Sequence, residues 1–366
     1  MLGVFSQAFF YLLKCGILIL MFDVVTVGTA TRDVVLTSPL FKVLKDPVHL
    51  RKIGFSSGEA ECFALGSKIE IEGMLFTTGG GATNTAVTFA RQGLKTGALV
   101  ALGNDLTSKD VIHDLAVNKV QTIPALRKRE YTSYAVILLS QGGERTVLVY
   151  RNPEDNLEKK DIPFSRLKTR WLYLVPGSID LQTLTSLITF CARKKINVAI
   201  NPSMHFMKMP RKKLLPLLKH VKVVILNREE GAFFTGVDYS KEKKIFVKLH
   251  EMIPGVAVMT DGPKGVIVSD GFNIYKAGVF KEQRLVDRTG AGDAFGSGFV
   301  AGLVHTNEEC RLGLCEVNNI KYAIRLASAN ATAKVEQLGA KGGLLTRKEF
   351  NESPRWRSFP IAVSSL

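Results

Sequence analysis

Short apolar runs alternating with helix-like segments constrain this chain more than any other feature. Val24, Val25 and Val27 form the first run, which closes on Gly28. Ala98–Leu102, Trp171–Val175, Asn197–Ile200, Val223–Leu226 and Val256–Thr260 repeat it. Helical stretches are expected at Ala86–Gln92 and Leu181–Arg193. Short strands that are apolar throughout need cover on both faces. The pattern predicts an α/β fold: a three-layer sandwich whose mostly parallel sheet is flanked by helices. Two stretches break the rhythm. Residues 34–76 lack a clear helix. Residues 131–150 read as a hairpin, Ala135–Leu139 and Thr146–Val149 joined by a turn at Gln141–Glu144.

The 366 residues are 46% hydrophobic and 22% charged, enough for a sizeable core. The five cysteines are scattered without C-x-x-C or zinc spacing, which suits a reducing, cytoplasmic setting. A net charge of +16 raises nucleic acid as a partner. The basic clusters, such as Arg193-Lys194-Lys195 and Arg211-Lys212-Lys213, are spread along the chain and not interleaved with aromatics. Solvated faces that steer anionic ligands account for them, and no nucleic-acid partner is expected.

Residues 1–20 form an apolar N-terminal extension with Lys14 as its only charge. The preferred reading is an upstream stretch ahead of a true start at Met21. The alternative is a membrane segment, and membrane association is expected only if residues 1–20 are retained. The folded domain is expected over 21–350, with 351–366 as a C-terminal tail.

The chemistry concentrates in Asp287-Arg288-Thr289-Gly290-Ala291-Gly292-Asp293 and the small-residue run behind it. Gly290, Ala291 and Gly292 let a phosphate approach the backbone. A helix starting near Gly292 would aim unpaired N–H groups at that phosphate. Asp293 then stands where it can take a proton from an incoming hydroxyl. An anion hole beside a base is a phosphoryl-transfer arrangement; the plainer reading is a glycine-rich helix entry with a capping Asp.

This segment resembles the second signature of the ribokinase-like carbohydrate kinases, the phosphofructokinase B family. Gly79-Gly80-Gly81-Ala82-Thr83-Asn84-Thr85-Ala86, with Gly93 and Gly103, resembles the first. The likeness runs from about Asp23 to Leu345. It implies a ribokinase-like sandwich whose irregular stretches, 34–76 and 131–150, form a small β lid over the sugar. It implies an ATP-dependent carbohydrate kinase that phosphorylates a sugar hydroxymethyl group, and a homodimer formed through the lid. Asp33, which read alone is a solvated turn residue or a sugar ligand, is implied as the sugar-binding acid. Gly80, Gly81 and Asn84 join it, with Asn84 alternatively a helix cap and Asn152 a weaker candidate.

On the nucleotide side, Asn227 and Glu230 match the family's N-x-x-E, which implies that Glu230 holds Mg²⁺ through water. Thr260, Gly262 and Gly265 resemble its nucleotide loop. Asn330 and the Gly339-Ala340 pair match the helix and loop beside the adenine. Asp287, Thr289 and that last loop are implied as a monovalent-cation site, with K⁺ the candidate ion. One departure stands out: Arg288 replaces a small or hydroxylated residue and puts a cation beside the phosphates.

The chain has no G-x-x-x-x-G-K-[ST] and no G-x-G-x-x-G after the first strand, which argues against a P-loop enzyme and a dehydrogenase. A nucleoside kinase of the same fold and a non-catalytic sugar or nucleotide sensor remain as alternatives.

Overall fold

The computed structural model describes residues 21–55, 58–125, 130–140, 145–151, 156–311 and 319–366. The expectations for residues 1–20, the 141–144 turn and Asn152 lie outside the described residues.

The main sheet has ten strands. Its parallel part comprises β1 (Phe22–Gly28), β6 (Thr96–Val100), β7 (Val120–Pro124), β10 (Thr169–Val175), β11 (Asn197–Ile200), β12 (Val221–Asn227) and β13 (Val256–Thr260). β14 (Val266–Ser269), β15 (Asn273–Ala277) and β16 (Ile361–Ser365) continue it antiparallel. The order is β16-β15-β14-β13-β12-β11-β10-β1-β6-β7. β1 pairs in parallel with β10 on one side and β6 on the other. Strand order therefore reverses beside β1, and ligands of open α/β sheets bind at the carboxyl ends of strands flanking such a point.

Alternate residues of each strand feed two different cores, which is why the strands read as continuous apolar runs. Val25, Val27, Leu172 and Leu174 pack with Leu184, Leu187 and Cys191 of the Leu181–Lys194 helix. Val24, Trp171 and Tyr173 pack on the other face with Phe299, Val300 and Val304 of the Ala291–Arg311 helix. The helix predicted at Ala86–Gln92 begins earlier, at Gly81, and ends at Arg91.

A separate four-stranded sheet, ordered β5-β2-β8-β9, is formed by the stretches expected as the lid. Its strands are β2 (Thr31–Thr37), β5 (Gly73–Gly79), β8 (Tyr134–Leu139) and β9 (Arg145–Tyr150). β3 (Lys42–Lys45) and β4 (Glu59–Cys62) make a two-stranded ribbon. The predicted hairpin is β8 and β9.

Three expectations need correction. The lid begins at Thr31, so Asp33 lies within β2, paired with Thr77 and Ala135, and not in a turn after β1. Among the described residues of 34–76 there is a helix, Pro47–Lys52, started by Asp46 accepting the His49 N–H; six residues carry too little periodicity to read. Residues 351–366 are not a tail, because Ile361–Ser365 continues the ladder from β15 as an edge strand. That strand is mostly exposed, so its side chains carry little of the apolar signal that marks its neighbours.

Candidate active site

The carboxyl ends of β1 and β10 meet the start of the Gly81–Arg91 helix. Gly80 adopts φ +97, and the Gly80 carbonyl accepts the Asn84 N–H at 3.0 Å. This turn sets Asn84 one helical turn in, where it is buried. The second glycine segment acts the same way from the opposite end of the sequence. Gly290 takes φ +77, where a side chain would be strained and would meet Ala340. The Ala291–Arg311 helix follows, and the Gly290 carbonyl accepts the Ala294 N–H at 2.8 Å.

The two helix starts converge on one contact: Asn84 Nδ2 donates to Asp293 Oδ2 at 2.9 Å. Dense packing around Asp293 raises its carboxyl from 3.8 to about 6, against the opposing pull of the Asn84 hydrogen bond. An open edge nonetheless remains on Asp293. Asn84 Oδ1, also buried, has no hydrogen-bond partner among the described residues. The hydroxyl of Tyr173 is buried under Gly296, and burial first and the Asp293 charge second keep it well above the usual phenol range.

The Ala291 N–H donates to Arg288 O at 3.2 Å, closing the turn. Gly292 and Asp293 are then the residues whose N–H groups head the helix without an intrahelical acceptor. Space outside the Gly292 Cα is open, so a ligand can approach there. A pocket of about 270 Å³ begins at this helix start. Thr260, Gly262, Gly265, Arg288, Ala291 and Gly292 all line it. Phe280, Leu285 and Val335 supply apolar walls. Arg288 is exposed at this pocket, and its side chain makes no ion pair or hydrogen bond with the described residues.

Asp33, expected on the sugar side, lies near the start of the Gly81–Arg91 helix. The Asp33 carboxyl is buried and accepts the Thr31 hydroxyl at 2.7 Å. A Cβ on Gly79 would fall 2.1 Å from Asp33 Oδ2, so only glycine lets the two meet. Burial raises the Asp33 carboxyl, and Thr31, Lys341 and Arg32 oppose the rise.

Asn227 and Glu230 close β12 as a reciprocal cap. Asn227 Oδ1 accepts the Glu230 N–H at 2.7 Å, and Glu230 Oε2 accepts the Asn227 N–H at 2.8 Å. Burial, with Glu229 nearby, raises the Glu230 carboxyl. Among the described residues no cluster of three or more His, Cys, Asp or Glu side chains is gathered for a metal. Arg228, next to them, bonds Asp261 Oδ2 at 3.0 Å and lies 4.6 Å over the Tyr239 ring, so it pins the Thr260–Gly265 loop.

Asn330 needs correction as a nucleotide ligand. It is fully buried; its Nδ2 donates to Ala294 O and Thr88 Oγ1, and its Oδ1 accepts the Leu345 N–H. Its polar atoms are committed to bracing the Asp293 helix. Ser328, Ala331 and Thr332 of the same helix face the pocket instead.

Two buried lysines escaped sequence reading. Lys341 Nζ bonds Asp114 Oδ2 at 2.7 Å and Thr78 Oγ1, tying the last loop to the lid strand β5. Lys334 Nζ donates to Asp287 O at 2.7 Å and Gln337 O at 3.3 Å, and lies 3.9 Å from Asp287 Oδ2. Burial pulls the Lys334 ammonium down to about 8, against the pull of Asp287. The Asp287 carboxylate also accepts the Thr289 and Gly339 N–H groups at 2.8 and 3.0 Å. Burial works to raise it, but Thr289, Lys334 and Gly339 hold it below the usual carboxylate range.

A buried carboxyl and helix-start N–H groups meet at the carboxyl edge of a mostly parallel sheet, beside a separate small β sheet, in an α/β protein. The sequence matches the pfkB family carbohydrate kinase profile over residues 22–347, and the chain belongs to that family. It is 29% identical over 245 residues to the cytidine kinase of Thermococcus kodakarensis, covering 64% of this chain and 84% of that protein. It is 26% identical over 284 residues to the ribokinase of Lactococcus lactis, covering 75% and 84%. The structure of Arabidopsis thaliana ribokinase complexed with ribose and ATP superposes with a TM-score of 0.69 at 17% identity, covering 93% of this chain and all of that one. The fold is ribokinase-like, and the chain is a phosphotransferase with an alcohol acceptor.

Proposed function

We propose that this chain transfers the γ-phosphate of ATP to the hydroxymethyl group of a sugar, with Asp293 as the base. The observation that carries this reading is the Asn84–Asp293 contact at 2.9 Å, which sets an acid held at about 6 between the sugar-side helix and the phosphate-side turn. The adenine lies against Phe280, Leu285 and Val335, and the phosphates run toward Gly292. The sugar sits between Asp33, Asn84 and the lid. Asp33 accepts hydrogen bonds from two hydroxyls, and Asn84 Oδ1 takes a third.

Asp293 removes the proton as the sugar oxygen bonds to phosphorus and the bond to the ADP oxygen breaks. Positioning and charge stabilisation do most of the work in such transfers, so a weak base suffices. The Gly290–Gly292 turn supplies the anion hole. The Gly292 and Asp293 N–H groups meet the developing charge, each worth roughly 3 kcal/mol by analogy with oxyanion holes. Arg288 adds a cation at the same place. Mg²⁺ neutralises the phosphates when bound, and Glu230 would hold it through water with Oε1, the oxygen outside the cap. The Thr260–Gly265 loop lines the far side of the nucleotide. Lid closure keeps water from the γ-phosphate.

Met74, Phe76, Val147, Leu148, Val149 and Tyr150 leave apolar surface exposed on the lid strands, which supports a homodimer through the lid. A cytoplasmic site of action accords with ATP as donor and with free thiols at Cys62 and Cys191. Among the described residues no helix is long and apolar enough to cross a membrane.

The likeness to a cytidine kinase favours a second reading, a nucleoside acceptor at the same base. ADP release with ATP and Mg²⁺ separates the two across ribose, fructose, 2-keto-3-deoxygluconate, fructose phosphates, adenosine, inosine and cytidine. Turnover of a sugar above the nucleosides supports the proposal. Turnover of a nucleoside alone replaces the acceptor and keeps the site. Nucleotide binding without transfer to any of them would overturn the catalytic reading.

A further inference from the structure

Asp287, which the family resemblance implies as part of a monovalent-cation site, already faces a cation that belongs to the chain. Lys334 is wholly buried, and its Nζ faces Asp287 O at 2.7 Å, Gln337 O at 3.3 Å and Asp287 Oδ2 at 3.9 Å. Two carbonyl oxygens and a carboxylate around one positive centre are the donor set a desolvated alkali ion would seek. An ammonium is close to K⁺ in size and charge, and its N–H bonds reach oxygens at similar distances. A second cation brought to the same oxygens would meet the lysine's charge at contact range in a buried setting, where repulsion is poorly screened. The residues present therefore do not fit a bound K⁺.

We propose that Lys334 is a built-in replacement for the monovalent cation, so that this enzyme works without K⁺. The ammonium joins the start of the Asp287–Asp293 turn to Gln337, which leads into the Gly339-Ala340 loop. Asp287 closes the same knot by accepting the Thr289 and Gly339 N–H groups. Lys334 also lies in the last turn of the Asn319–Val335 helix, where a positive charge is favoured. It touches neither the pocket nor the reacting atoms. It is a positioning residue that fixes the phosphate-binding turn, a task otherwise left to an exchangeable ion whose occupancy varies with the medium. The role assigned to the turn rests on the kinase reading above; the cation exchange itself does not.

The experiment compares KCl, NH₄Cl, NaCl and tetramethylammonium chloride at equal ionic strength, on the full chain and on Lys334→Met. Two readouts are followed, the thermal unfolding midpoint and the KM for ATP. The wild type is expected to show one midpoint in K⁺ and tetramethylammonium, and a KM varying by less than about twofold. Lys334→Met is expected to need about tenfold more ATP in tetramethylammonium, and to recover in K⁺ or NH₄⁺ while its midpoint rises with the bound ion. A wild type whose midpoint or KM responds to K⁺ over tetramethylammonium by about tenfold in apparent affinity would overturn the proposal. So would a folded Lys334→Met that no small cation rescues, since that marks a merely structural lysine. If the variant does not fold, the wild-type salt series still decides. If no substrate turns over, the midpoints decide alone, so failure of the kinase reading is told apart from failure of the cation replacement.

Discussion

Asp293→Asn should make the protein more stable at pH 8 while abolishing most of its turnover. The substitution is nearly isosteric and still offers an oxygen to the Asn84 Nδ2 donor. What it removes is a charge that burial disfavours. An acid held at about 6 instead of 3.8 carries about 3 kcal/mol against ionisation, each tenfold in acidity being about 1.4 kcal/mol. The open edge of Asp293 trims this to about 2 kcal/mol. The folded protein binds the extra proton, so the wild type loses this stability as pH climbs from 3.8 to about 6, and the loss is complete above that. The variant does not titrate. Its advantage should be absent near pH 4, grow through pH 5 and level off above pH 6. With roughly 2.1 cal/mol/K of unfolding entropy per residue, 2 kcal/mol moves the midpoint by about 3 °C. Differential scanning fluorimetry across the pH range reads this. Turnover should fall by about 10² to 10⁴, the usual contribution of a general base, with the KM for ATP little changed. A variant less stable than wild type at pH 8, or one that keeps most of its activity, would refute the assignment of Asp293 as a strained, functional acid.

Wild-type kcat should rise with pH through about 6 and level off above it, as Asp293 ionises; a profile flat from pH 5 to 8 would argue for another base. Asn84→Ala removes the hydrogen bond that lowers the Asp293 pKa, so the acidic limb should move to higher pH, which a kcat profile measures directly. Arg288→Ser should raise the KM for ATP about tenfold and flatten its salt dependence, with kcat nearly unchanged, if the guanidinium meets phosphate. Asn330→Ala leaves Ala294 O and the Leu345 N–H buried without their partner, at a cost of about 2 to 4 kcal/mol. Chemical denaturation should show that loss, and steady-state kinetics should show an unchanged KM for ATP.

The parallel strands were legible because burial on both faces leaves no polar alternation to confuse with anything else. β14, β15 and β16 were not read, although Val266–Ser269 is wholly buried. β14 and β15 are four and five residues long and antiparallel, with no helix between them to complete the rhythm that marked the others, while β16 follows helices but is mostly exposed. The glycine segments were legible because only glycine reaches the conformation of Gly290 or the gap beside Asp33. The pairing of Asn84 with Asp293 was not, since 209 residues separate them and only the sheet brings their helices together. The role expected of Asn330 failed for a related reason. A motif names the helix beside a ligand, but which of its residues face the ligand depends on rotation against its neighbours.

Lys334 could have been found. Ala323, Ala327, Asn330 and Lys334 recur at spacings of four, three and four, the period of a helix face turned to the core. A lysine on such a face must meet oxygens or lose its charge, and the only nearby question was which oxygens. Three buried charges find partners in distant segments: Lys334 with Asp287, Lys341 with Asp114, Asp293 with Asn84. The pairs join the Asn319–Val335 helix to the turn before Asp293, the last loop to the Leu106–Val117 helix, and the Asp293 helix to the Gly81–Arg91 helix. Breaking one by removing a single partner strands a charge in low dielectric, which is far more costly than never having had the pair. On the proposed reading these elements must hold one geometry for a phosphate to be transferred. In this fold the residues that set that geometry are therefore also among those whose loss the protein can least tolerate, and a substitution that separates the two effects must, like Asp293→Asn, remove charge while keeping the hydrogen bond.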